Sequence, residues 1–369
     1  MKPQRLLFFF LFSGLLIATV FAQEIRRAIP VYAAPDEVAQ LLAGLPVIKG
    51  SPLLGLQLSK DYSAHNQSMK EAWKDYREQR YDPMRQWADR EARLRIPTPA
   101  VVRYLFGGPD LLSVMAAFPE APVYILCGKE PVGKIIPPET LWPEQLQMGL
   151  AGLREATSTF LHFGYFITIE MRAQMARGPF QGVLPLLLTF LALSDHQILA
   201  VDMISFGGSP GVRIRFVERS GGNEQILFYA QTDLSNDASR SFLKWLGSFG
   251  PGAAYLKAAS YLLHEDDFSH AREFLLSNST AILQDDSGIP LRFFELNNWT
   301  LYFFGDYKSP IELFRKYYQP DLYAAYTASP LRGPMPFGTG YQLNSGESGG
   351  ANLLLAVRRT FAPRALPVH

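Results

Sequence analysis

Eight polar residues fall where apolar runs of the sequence end: Asp110, then His264-Glu265-Asp266-Asp267, then Asp285-Asp286-Ser287. Carboxylates brought close together shift one another's pKa values and can serve as general acid and base, or can hold a hard divalent cation through oxygen. Asp110, His264, Asp267, Asp285 and Asp286 are therefore the candidate catalytic residues. Metal content is left unknown, and no cofactor is identified. Each candidate also has an ordinary structural role open to it. Asp110 and Asp267 stand where helices begin, where an aspartate accepts backbone N–H bonds and faces the positive end of the helix dipole. Asp285-Asp286-Ser287-Gly288 equally suits a turn into a following strand. His264 and His270 could join the acids around a metal, but their spacing of six matches neither i,i+3 nor i,i+4 on a helix, nor a familiar zinc signature.

Other strong catalytic signatures are missing from the chain: there is no GxxxxGK[ST] loop, HExxH or EF-hand pattern. Gly107-Gly108-Pro109-Asp110 lacks the GxGxxG spacing of a dinucleotide site, and its proline removes a backbone donor that a pyrophosphate would use. Whether the protein is an enzyme stays undecided at this level.

The elements that must position these acids are two βαβ patterns. Residues 101–106 read as a strand, Gly107-Gly108-Pro109-Asp110 as a tight turn, 111–118 as a short helix and 122–127 as a second strand. Residues 253–263 read as a strand-like run, with its alanines leaving a helix open, followed by a helix over 268–276 and a strand over 280–284. An ungapped overlay at an offset of 157 puts Tyr104-Leu105 on Tyr261-Leu262, Asp110 on Asp267 and Ile125-Leu126 on Ile282-Leu283, as an internal duplication or merely shared patterning would. Right-handed crossovers then make each strand pair parallel and set the acids at strand carboxyl ends, the edge at which open α/β sheets gather ligands.

Around these units the periodicity predicts helices over 35–45, 65–95, 142–175, 183–193, 233–249 and 310–318. The second carries an apolar stripe of Met69, Trp73, Tyr76, Tyr81 and Trp87 and a proline, Pro83, able to break it. Further strands are expected over 29–33, 197–204, 212–217, 225–230, 291–294, 299–304 and 351–357, with Ser220-Gly221-Gly222-Asn223 turning an antiparallel hairpin. The expected fold is α/β, a mixed, partly parallel central sheet with helical layers and an antiparallel hairpin. Its divisions are a signal peptide over 1–22, a mainly helical region over 23–98, the α/β body over 99–360 and a frayed tail over 361–369.

With 369 residues, 48% of them apolar, and 35 basic against 34 acidic side chains, the chain can bury a large core and carries no basic stripe for nucleic acid. Its single cysteine, Cys127, follows Val123-Tyr124-Ile125-Leu126 and reads as a core thiol. Lys2 and Arg5, the apolar run from Leu6 to Phe21 and the small Ala22 form the pattern of a secretory signal with cleavage after Ala22. Export to the periplasm or beyond is expected, with no membrane span once that signal is removed.

The strings Tyr104-Leu-Phe-Gly-Gly-Pro-Asp110, Leu126-Cys-Gly-Lys-Glu-Pro-Val-Gly133, Thr232-Asp-Leu-Ser-Asn-Asp237, Leu283-Gln-Asp-Asp-Ser-Gly-Ile-Pro290 and Pro336-Phe-Gly-Thr-Gly-Tyr341 resemble those of uncharacterised secreted bacterial proteins of similar length. The resemblance implies export and a bacterial source, and brings no substrate, cofactor or catalytic residue. Two functions follow as expectations: a hydrolase-like or ligand-binding site at the acidic strand ends, or a noncatalytic envelope-interaction or carbohydrate-binding protein. The partner is then an unknown small molecule or envelope component, and the oligomeric state is unknown.

Overall fold

The computed structural model describes residues 32–165, 173–174, 176, 178–329, 333, 335–342 and 351–359. The expected signal segment, most of the expected 29–33 strand and the 361–369 tail lie outside the described residues. Helix α1 (Pro35–Leu42) has Pro35 in its first turn, and its Asp36 side chain accepts the backbone N–H of Ile198 at 2.9 Å. Helix α2 (Lys60–Tyr76), the π-helical turn Arg77–Tyr81, α3 (Asp82–Trp87) and a second π-helical turn, Ala88–Ala92, follow without a break. Pro83 does not interrupt this rod. It sits in the first turn of α3, just after the π-helical turn has displaced the hydrogen-bond ladder, so its missing N–H is not required there. The predicted stripe faces inward: Met69, Tyr76, Tyr81 and Trp87 are buried, and Trp87 packs edge-on against Phe304 at 5.0 Å.

The body continues through β1 (Val102–Tyr104), α4 (Leu111–Ala117), β2 (Val123–Gly128), β3 (Lys134–Ile135), α5 (Pro143–Phe163), β4 (Phe180–Gln181) and α6 (Leu184–Leu193). Every residue of α6 is buried, which is why it reads as an unbroken apolar run with no polar face. After it come β5 (His196–Phe206), β6 (Ser209–Glu218), β7 (Gln225–Gln231), α7 (Asn236–Gly247), β8 (Gly252–Leu256), α8 (Ser269–Asn278) and β9 (Ser279–Gln284). The chain ends its described path with β10 (Trp299–Gly305), α9 (Pro320–Ala328) and β11 (Asn352–Arg358).

Among the described residues, nine strands form one sheet in the order β10-β11-β9-β8-β1-β2-β7-β6-β5, and β3 pairs with β4 apart from it. The five central strands, β9, β8, β1, β2 and β7, are mutually parallel, and antiparallel strands flank them on both sides. This is the mixed α/β architecture, with the β6–β7 pair as its expected hairpin.

The two βαβ units share an edge, because β1 and β8 are direct parallel neighbours with Val102 opposite Ala253 and Arg103 opposite Ala254. From that seam β1 leads outward to β2 and β8 leads the opposite way to β9. Right-handed crossovers in opposite directions put their helices on opposite faces. Accordingly α4 packs with Val102, Tyr104 and Tyr255, whereas α8 packs with Leu105, Ile125 and Leu256. The sheet order therefore reverses between β1 and β8, and a crevice opens at their carboxyl ends.

Three predicted elements are corrected. The strand expected over 253–263 ends at Leu256, because the following residues leave the sheet in left-handed conformations. The expected strand over 291–294 is a 3-10 turn, Leu291–Phe293, entered from Pro290, which cannot donate to a ladder. The helix expected over 310–318 is 3-10 over Glu312–Tyr317, kinked at Phe314. The end of β8 also changes the overlay of the two units. Strand register equates Tyr104 with Tyr255, not Tyr261, and the two rings pack edge-on at 4.8 Å.

On the other face Arg103 is fully buried, and its guanidinium donates to the carbonyls of Leu246 (3.2 Å) and Gly250, closing the end of α7. Burial lowers its pKa to about 10. Among the described residues, no helix is long and apolar enough to cross a membrane.

Candidate functional site

Asp110 is the N-cap of α4. One carboxylate oxygen accepts the Ser113 N–H at 3.2 Å, while the other accepts the Tyr104 hydroxyl at 2.9 Å and pairs with Lys257 at 2.6 Å. Lys257 is the first residue beyond β8. It is 4% exposed, and its ammonium also donates to Ser113 Oγ at 2.6 Å and to the carbonyl of Gly164, the left-handed cap of α5. The Tyr104 hydroxyl further donates to the Lys257 carbonyl at 3.1 Å when it is not engaged with Asp110. Burial raises the Tyr104 pKa far above the usual tyrosine range, so the phenol stays a donor.

Asp285 grips the next residue of the same tail. Its carboxylate accepts the Ala258 N–H at 2.9 Å, the Ser287 N–H at 3.0 Å and the Ser287 hydroxyl at 2.5 Å, and Ser287 Oγ accepts the Ala259 N–H at 2.8 Å. Asp286 accepts from the Tyr261 hydroxyl and from Asn352 Nδ2 at 2.9 Å. Both carboxyls are buried, and desolvation raises both pKa values. Asp285 is lifted to about 7, with the adjacent Asp286 adding to the effect and the donors from Ser287 and Ala258 opposing it.

Those braces hold an unusual backbone. Ala258, Ser260 and Tyr261 have φ of 50°, 52° and 57°, three of the four described non-glycine residues with positive φ. Each such residue costs on the order of 1 kcal/mol or more and persists only where its surroundings fix it. Tyr341 supplies the last brace: its hydroxyl accepts the Ser260 N–H at 3.1 Å, lies 3.0 Å from Ser260 Oγ and donates to the Ala258 carbonyl at 2.9 Å when it does.

This loop forms one wall of the crevice at the seam, a cleft of about 180 Å³. Facing it are the turn Gly107-Gly108 after β1, Gly128-Lys129-Glu130 after β2 and Thr232 after β7. Apolar lining comes from Phe106, Leu234, Leu262 and Phe268. Lys129 pairs with Asp233 at 2.8 Å. Glu130 is 4% exposed, its carbonyl accepts the Tyr229 hydroxyl at 3.0 Å, and its carboxylate lies against Gly128, leaving no room there for a Cβ. Cys127 also lines the cleft, but its thiol donates to the Leu105 carbonyl at 2.9 Å and burial raises its pKa far above the usual range.

The structure thus brings Asp110, Asp285 and Asp286 together around the tail of β8, beneath the cleft wall and not on its surface. It leaves Asp267 apart, exposed on the 3-10 turn Asp266–Phe268. His264 lies half-buried edge-on against the stacked rings of Tyr261 (5.2 Å) and Tyr317 (5.3 Å), with its pKa lowered to about 4, chiefly by burial. His270 is exposed on α8. Among the described residues, no three His, Cys, Asp or Glu side chains are grouped to hold a metal.

Lys257, Ser260, Tyr341 and Glu130 are site residues that sequence reasoning missed. Lys257 and Ser260 were hidden inside an over-long predicted strand. Glu130 does follow a correctly placed strand, and treating every strand's carboxyl end alike would have found it. Comparison with protein-family models, curated proteins and solved structures finds no match to this chain.

Proposed function

We propose that this is an exported protein that binds a small, partly apolar ligand in the crevice between β1 and β8. The observation that carries the reading is the left-handed loop Ala258–Tyr261, held at the topological switch point and presenting Ser260 to the cleft. Strain of this kind gathers where a backbone is pre-organised for contact. Thr232, Ser260, Lys129 and Glu130 offer polar contacts on a partly apolar lining, the usual composition of a small-molecule site. The buried aspartates support a positioning role, since their oxygens are engaged by Lys257, Tyr104, Ala258, Ser287, Tyr261 and Asn352. Export rests on the basic, apolar and small-residue succession of Met1 to Ala22, and amino-terminal sequencing of the mature protein tests it.

The binding test is a thermal-shift panel of amino acids, small carboxylic acids, monosaccharides and nucleosides against the wild type and the crevice-filling variants Thr232→Trp and Ser260→Trp. At least one compound raises the melting temperature of the wild type and of neither variant. A panel without any shift, or shifts that persist in both filled variants, removes the crevice as the site.

A further inference from the structure

Away from the crevice, the loop over 45–59 between α1 and α2 is a compact Ω-shaped excursion whose ends are tied together. Gln57 Nε2 donates to the Leu45 carbonyl at 2.7 Å, Gln57 Oε1 accepts the Val47 N–H at 3.1 Å, and the Tyr62 hydroxyl lies 3.1 Å from the Leu45 carbonyl as a further donor. Val47 and Leu53 point into the core as its stem. Its outer surface is aliphatic: Ile48 is 62% exposed, Leu54 38% and Leu58 82%. Leu54 and Leu58 stand one helical turn apart, across the turn Leu54–Gln57, and so share a face.

A tied loop that holds three large aliphatic side chains in water keeps them exposed at a standing cost in free energy. Its charge pattern indicates what could cover them. The loop itself contains one charged residue, the exposed Lys49 beside Ile48, and no Asp or Glu; just beyond it the exposed Lys60 follows Ser59 and precedes Asp61 in the sequence. Protein interfaces concentrate Tyr, Trp and Arg and are depleted in Lys. This surface has none of the first three and two of the last. Aliphatic tips flanked by lysines suit a lipid interface, where the side chains enter the acyl boundary and the ammonium groups meet anionic headgroups.

We propose that the 45–59 loop docks the folded protein on an anionic lipid surface through Ile48, Leu54 and Leu58, with Lys49 and Lys60 at the headgroups. The test uses the full chain carrying Leu58→Cys labelled with an environment-sensitive fluorophore, since Cys127 is fully buried and does not compete for label. Ser220→Cys, in the exposed β6–β7 turn, is the control. Vesicles of phosphatidylcholine containing phosphatidylglycerol shift the emission at position 58 to shorter wavelength and raise it severalfold, while position 220 does not respond. Added salt weakens the effect, and Lys49→Gln with Lys60→Gln lowers the apparent affinity roughly tenfold. Ile48→Gln with Leu54→Gln abolishes the emission change. The proposal is overturned if position 58 stays as in water on these vesicles, or responds unchanged in the Ile48/Leu54 variant. A response to delipidated envelope protein but not to vesicles overturns it in favour of a protein partner.

Discussion

The Lys257 ammonium and the Asp110 carboxylate meet at 2.6 Å beneath the crevice, almost fully buried, and so tie the end of β8 to the start of α4. The contact joins the two βαβ units at the seam where their strands also pair. Breaking such a pair from one side strands the other charge in the interior. Lys257→Met is therefore expected to lower unfolding free energy by about 3–5 kcal/mol. Lys257→Met combined with Asp110→Asn should recover part of that loss. Urea titrations of the two single variants and the double variant measure the coupling, and additive losses would mean that the charges do not act as a pair.

Protonation of Asp285 gives a pH dependence of definite sign. Its folded pKa, about 7, lies above the ordinary carboxylate value, so the folded state holds a proton that the unfolded chain releases. The sheltered carboxyl adds stability at acid pH, and that contribution fades as pH rises towards 7. His65 and His264, each lowered to about 4 by burial, act in the opposite direction between that value and the ordinary histidine range. The whole-protein profile therefore mixes both effects. The difference in melting temperature between wild type and Asp285→Asn isolates the first: it should move against the wild type as pH is raised from the carboxylate range to neutrality. A flat difference would show that Asp285 titrates normally.

Strain in the β8 tail should be removable. Ala258→Gly and Ser260→Gly relieve a left-handed conformation at each position, and each is expected to leave stability unchanged or raise it by up to about 1 kcal/mol, because the greater freedom of the unfolded chain offsets part of the gain. Both should weaken binding of any ligand found by the crevice panel. Calorimetric melting with titration of that ligand checks the opposed effects, and a clear loss of stability from either variant would remove strain as the explanation.

Gly340 backs the Asp285 brace. At its φ of 57° a Cβ would collide with the Asp285 carboxylate, so Gly340→Ala must displace either the chain or the acid. A loss of about 1–3 kcal/mol is expected from the overpacking, accompanied by faster amide exchange at Ala258. Gly55→Ala, where a Cβ meets open space, is the control and should cost little.

The first βαβ unit was legible because its strands are short apolar runs closed by Gly107-Gly108-Pro109-Asp110, whose glycines and proline punctuate the chain. The tail of β8 has no such punctuation. Lys257-Ala258-Ala259-Ser260 continues an Ala-rich run without Gly or Pro, and its left-handed turns are imposed from outside by Asp285, Ser287 and Tyr341. Local propensity cannot register a conformation whose determinants lie in remote parts of the chain. The acids were found because charge interrupts apolar sequence; their use as braces was not, since that depends on which neighbour each oxygen reaches.

Strand β1 lies at the heart of the sheet, yet one of its two neighbours, β8, is far downstream. A chain made from its amino terminus therefore carries a bare hydrogen-bonding margin on β1 until most of its length has been synthesised. During that interval the nascent protein is open to mispairing with other extended segments, and a copy truncated before β8 would keep that adhesive margin permanently.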